Sequence, residues 1–131
     1  MRRHDWAAQM YAQFDVHADR VFAWGENDCC LFVARTVDAM TGSSLTQQLA
    51  SEYRDEVTAL QFISDHGGLE IAVSSFLGDP QPVRAMRGDA VMVHGGLDLS
   101  MGICAGPYVL AMGEKGLTKI DRREILKVWK V

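Results

Sequence analysis

Near the start of the chain the apolar Trp6, Met10 and Phe14, with His17, recur three and four positions apart. That spacing predicts an amphipathic helix to about Asp19, with Asp5 placed to cap it. The polar stretch "WGEND" breaks the period, and Asp28 is placed to cap a second helix from Cys29 to about Met40. Leu31, Phe32, Val33, Ala34, Val37, Ala39 and Met40 make this helix apolar nearly all round. Such a helix is buried on most sides, so it is expected at the centre of the fold. "TGSS" ends it. A third helix is predicted over about Glu56 to Asp65, stopped by His66-Gly67-Gly68, and a fourth over about Leu69 to Leu77, ended by Gly78-Asp79-Pro80.

From Arg87 the pattern changes to short β-branched and apolar runs separated by glycines. "GDAVMVH", "SMGICAG", "YVLAMG", "LTKID" and "ILKVWKV" read as strands of an antiparallel meander. Helices first and strands second predict an α+β fold, with the helices packed on one face of the sheet. Neither a repeat nor a linker divides the 131 residues. One domain over 1–131 is expected, its helical part about 4–78 and its strand part about 87–131.

Hydrophobic residues make up 48% and charged residues 23%, the balance of an ordinary globular chain. A net charge of −4 argues against nucleic acid as a partner, because phosphate binding needs a basic face. No apolar run approaches the roughly 18 to 20 residues that cross a bilayer. Arg2-Arg3 is not followed by an apolar core, so no secretory signal is expected. Three cysteines, two of them adjacent, do not form a disulfide framework, and a reducing compartment is expected.

The candidate chemistry lies in "FAWGENDCCLFVA", Phe22 to Ala34. A thiol in the first turn of a helix meets free backbone N–H groups and the positive end of the helix dipole, which favour thiolate. Cys29 is therefore the candidate nucleophile. Cys30 reads as a small packing residue, the commoner role of a free cysteine. His4, His17 and His66 lie on helices or helix ends and are expected at the surface. Gly67-Gly68 and Gly95-Gly96 read as turn chemistry. Gly88-Asp89 starts a strand, with Asp89 making local turn hydrogen bonds. Trp6, Trp24 and Trp129 read as core or interface anchors.

Four pieces in order resemble the NlpC-type papain-like cysteine peptidases, which cut peptide cross-links and stems in bacterial cell walls. "FAWG" is similar to that family's aromatic-x-Trp-Gly entry, bringing in Trp24 and Gly25. "DCCLFV" is similar to its Asp-Cys-Ser-Gly-Phe-Val motif, which puts Cys29 in the nucleophile's seat beside Asp28. "RGDAVMV" and "SMGICAG" are similar to its Pro-Gly-Asp-Leu-Val and His-Val-Gly-Ile-Tyr strands, bringing in Asp89 and Ser100. The whole chain looks closer still to a branch of this fold found in phage and prophage tail-assembly modules. The resemblance implies a papain-like domain without a cofactor and, as partners, other tail proteins of the hub or tip. It also implies a possible peptidoglycan peptide substrate, and a location in the bacterial host cytoplasm during assembly and then in the virion tail.

The departures from the family pattern carry chemical weight. Ser100 stands where the resemblance puts the catalytic His, and a serine hydroxyl is no base near neutral pH. The third polar seat falls near Ala111 or Met112, and Phe22 replaces a Tyr of the entry motif. His94, at the end of the first strand, is the candidate substitute base, or else a solvated residue at a strand-to-turn junction. Ser100, Gly102 and Cys104 share a strand face, expected to look toward Cys29. A metal site from Cys29, His94 and Cys104 matches no standard zinc spacing and lacks a fourth ligand. Two readings follow: a degenerate or structural tail protein, or an active cysteine peptidase or amidase using Cys29 and His94.

Overall fold

The computed structural model describes residues 1–95 and 98–131, so the Gly96 half of the expected Gly95-Gly96 turn lies outside the described residues. Five helices precede five strands: α1 Trp6–His17, α2 Cys29–Thr41, α3 Leu45–Ala50, α4 Glu56–Asp65 and α5 Leu69–Leu77, then β1 Ala90–His94, β2 Leu99–Cys104, β3 Tyr108–Gly113, β4 Gly116–Asp121 and β5 Ile125–Trp129. The strands pair antiparallel throughout, in the order β4-β3-β2-β1-β5. The protein is thus α+β, with its helices ahead of a five-stranded antiparallel sheet.

α2 is the central helix, as its all-round apolar sequence predicts. It packs against α1, α3 and β2, and Leu31, Phe32, Val33, Ala34, Val37 and Met40 are buried. Its ends follow from local chemistry. The Asp28 side chain accepts from the Leu31 amide at the start, and Gly42 takes the left-handed conformation that closes the other end, at φ 79°. α3 was not legible in the sequence. Its six residues show only Leu45 and Leu49 as an apolar pair, and its first amides, of Leu45 and Thr46, are held by the distant Asp38 carboxylate at 2.9 Å each.

The pairing register decides which strand residues meet the helices. Ala90 and Met92 on β1 stand opposite Ile103 and Met101 on β2, and all four join the helical core. The alternate residues Val91, Val93, Cys104, Val109, Ala111, Ile120 and Val128 form a second apolar core on the other face. The sheet curls to enclose it, since the position a Gly95 side chain would take, just past β1, lies 3.4 Å from Ile120 on β4.

Two expectations about α1 are corrected. Asp5 makes no capping bond; its carboxylate instead accepts from Gln9 Nε2 at 3.0 Å and pairs with Arg3. His17 is fully buried rather than at the surface. Its ring packs edge-on to Phe32, Nδ1 lies 2.9 Å from the Gln13 carbonyl, and Nε2 lies 3.4 Å from Arg35. A carbonyl only accepts, so Nδ1 carries the proton and Nε2 receives the Arg35 donor. Burial, with the Arg35 and Arg20 charges behind it, pushes the His17 pKa down. His66 is half-buried against Phe62, and only His4 of the three is exposed.

Candidate functional site

The entry to α2 is a turn locked around one buried carboxylate. Asp28 is 1% exposed, and all its donors are uncharged. Oδ1 accepts from the Leu31 amide and the Tyr53 hydroxyl, and Oδ2 accepts from the Gly25 amide, each at 2.9 Å. Gly25 sits at φ 80°, and a Cβ there would lie 2.1 Å from the Arg54 carbonyl oxygen, so both the backbone conformation and the space call for glycine. Trp24 stacks edge-to-face on Phe22 at 5.2 Å. This is what places Cys29 at the first position of the helix.

Cys29 is buried and its thiol is not in a disulfide. Its pKa is lowered, first because the Cys30 thiol donates to it and further by the Met101 backbone N–H; burial and the Asp28 charge oppose this. Cys30 is driven the other way, well above the usual thiol range, by that same donation and by burial. The pair is therefore pulled apart, Cys29 toward easier ionisation and Cys30 away from it. Burial, followed by the nearby Cys30 and Asp28, raises the Tyr53 pKa far above the ordinary phenol range, so its hydroxyl remains a donor to Asp28.

Both cysteines face a cavity of about 350 Å³ enclosed by α2, α3, the α4–α5 hairpin and the start of β2. The hairpin packs on itself more closely than on α2, and the space between them is the cavity. Its walls are side chains such as Val33, Leu49, Phe62, Val73 and Met101. The polar side chains on it are the two thiols, the Tyr53 hydroxyl, the Trp24 indole and Asp98. Leu60 and Leu99 line it and are 49% and 40% exposed, which sets them at its mouth.

The sheet side brings no imidazole to this cavity. Met101, not Ser100, is the β2 residue that looks toward Cys29, because the register turns Met101 and Ile103 to the helices. The expectation that Ser100, Gly102 and Cys104 face Cys29 is therefore corrected. Ser100 reaches back toward the Gly95 carbonyl, and Cys104 lies in the second core with the Arg122 guanidinium 2.9 Å from its sulfur. A shared metal site with Cys29 is thus not formed, and no group of potential metal ligands occurs among the described residues. His94 is at the exposed end of β1, with its side chain 64% exposed and Nε2 3.6 Å from Asp98 Oδ1. It is not among the residues lining the cavity.

Asp89 also lies apart from Cys29. It makes its expected local bond, from the Met86 amide at 2.8 Å, but it is fully buried and joins the two ends of the chain. Arg2 reaches it at 3.1 Å, Lys130 at 2.5 Å and the Val131 amide at 3.3 Å. Of the site residues named from the sequence, Trp24, Gly25, Asp28 and Cys29 come together, while Asp89, His94 and Ser100 do not join them. Sequence reasoning missed Tyr53, whose signal is a lone aromatic among the polar residues of "SEYRDE", and Met101, which alternation along β2 identifies only once the register is known.

Compared with known families, the chain matches one over its full length, residues 1–131: that described as Domain of unknown function (DUF6950). The chain belongs to this family. No curated protein matches it.

Proposed function

We propose that this member of the DUF6950 family is a papain-like, NlpC-type module of a phage or prophage tail that keeps the nucleophile helix of the wall peptidases but does not hydrolyse wall peptides. The observation that carries the loss of hydrolysis is that Cys29 lies against Met101 on an apolar cavity whose lining includes no imidazole. A thiolate can attack, but a papain-like cycle also needs an acid to protonate the leaving amine and a group to orient it. Peptide stems of the wall carry carboxylates and amines, and this cavity has almost nothing to meet them. The tail assignment is carried by the sequence resemblance. On it, the protein assembles with hub or tip proteins in the host cytoplasm and ends in the virion tail, its Cys29 cavity serving binding rather than cleavage.

The test is tail assembly in a host carrying variant copies. Cys29→Ser leaves assembly intact, whereas Val73→Asp, which puts a charge on the cavity wall, disrupts it. Loss of infective particles with Cys29→Ser alone would sink the reading.

One observation favours a second reading, an active cysteine peptidase or amidase: the lowered pKa of Cys29 at a helix start. That reading requires an imidazole to reach Cys29, and His94 is the sequence's candidate. It predicts that His94→Ala slows alkylation of Cys29 at neutral pH. Under the non-hydrolytic reading the rate is unchanged, because His94 makes its contact with Asp98 instead.

A further inference from the structure

We infer that the cavity over Cys29 and Cys30 is a binding site for an uncharged alkyl chain. The inference rests on the reading of this cavity as a binding site and adds the class of ligand it takes. Three observations carry it. The first is size. Close-packed interiors hold few voids larger than a water molecule, whereas this cavity measures about 350 Å³, within the usual range of ligand sites. An engineered apolar cavity of about 150 Å³ takes benzene, so this one holds a chain of roughly ten to fourteen carbons.

The second is chemistry. The Tyr53 hydroxyl is engaged by Asp28, and the Asp28 carboxylate already has three donors. Of the other polar groups on the lining, the two thiols are weak donors and acceptors, the Trp24 indole offers a single N–H, and Asp98 is exposed beside His94. A peptide main chain entering here would strand its amides and carbonyls, whereas an alkyl chain asks for no hydrogen bond. Water gains as little, since it needs two to four polar partners. The third is access. Leu60 and Leu99 are partly exposed at the mouth, so the apolar lining continues out to the surface, where a neutral polar head can stay in solvent.

The ligand enters end-on between the α4–α5 hairpin and α2, with its tail against Ala59, Ala72 and Val73 and its flank against the two sulfurs. Small residues at 59 and 72 leave the space that the chain fills.

The experiment is a titration of the full chain with N-phenyl-1-naphthylamine, a neutral fluorophore, followed by competition with 1-decanol. Saturable one-to-one binding displaced by 1-decanol is expected. Ala59→Leu and Ala72→Leu, which fill the void from two walls, are expected to weaken probe binding about tenfold or more while the melting temperature holds or rises. Saturating 1-decanol is also expected to slow alkylation of Cys29 in the unaltered chain, a readout that does not depend on any variant folding. The inference is overturned if the probe does not saturate, or if both filling variants fold and bind like the parent. Displacement by N-acetyl-Leu-Leu-amide but not by 1-decanol would overturn it in favour of a peptide. Cleavage of wall peptides by the same preparation would instead break the non-hydrolytic reading, so the two failures are told apart.

Discussion

The two walls of the Cys29 cavity differ in kind. On the helical wall the polar groups gather round one carboxylate: Asp28 holds the Leu31 amide, the Gly25 amide and the Tyr53 hydroxyl. The sheet wall offers Met101 and Leu99, with the exposed Asp98 at its edge. The helical wall fixes Cys29 at the start of α2 through buried hydrogen bonds, while the sheet wall beside it is apolar. A local turn with one carboxylate at its centre resists piecemeal change, since each donor depends on the same acceptor. A strand residue facing a cavity is exchanged for an apolar one with little effect on the pairing, which runs through the backbone.

The comparison breaks most severely at Asp28. Asp28→Ala removes a helix cap and leaves the Tyr53 hydroxyl and the Gly25 amide without their acceptor, for a loss of about 4 kcal/mol in denaturant unfolding. An effect below about 1 kcal/mol would mean that the turn is not built on this carboxylate. Tyr53→Phe deletes one donor to the same buried charge and is expected to cost about 2 kcal/mol. It also removes a polar group from the cavity wall without opening a void.

The sheet wall gives the opposite experiment, in which function is added. Met101→His places an imidazole where the chain looks toward Cys29. Iodoacetamide labelling of Cys29 at pH 7 is expected to speed up about tenfold, as an imidazolium partner further favours thiolate. The same substitution at Ser100 points into the second core and is expected to leave the Cys29 rate unchanged while lowering stability. Equal acceleration from both positions would refute the register argument.

A smaller effect sharpens the contrast away from the cavity. His17 is buried neutral with its pKa lowered, so the unfolded chain binds the extra proton first. Its contribution to stability is fully present above the ordinary histidine pKa of 6.5 and is lost as pH falls through the lowered value. The melting temperature is therefore expected to drop by a few degrees more between pH 7 and pH 5 in the parent than in His17→Asn. Identical pH profiles would contradict the burial argument.

Much of this was written locally in the sequence. The all-round apolar run from Leu31 to Met40 predicts a central helix, Asp28 predicts its cap, and glycine-punctuated β-branched runs predict all five strands. α3 escaped because two leucines in six residues carry no period, and a carboxylate from α2 supplies its start. The burial of His17 escaped because a histidine on an apolar helix face reads equally as edge or core until its partners are known. The facing of Ser100 and Met101 escaped for a stronger reason. A strand's two faces are exchanged by a shift of one residue, so which residue meets Cys29 is decided by pairing partners distant in sequence.

Purified chain incubated at pH 7 with peptidoglycan stem peptides, beside Cys29→Ala, tests the central claim most directly. With an apolar wall opposite Cys29, the account predicts no released amine above the variant's background. Turnover by the parent chain that disappears in Cys29→Ala would show that a base reaches the thiol after all, and would contradict it.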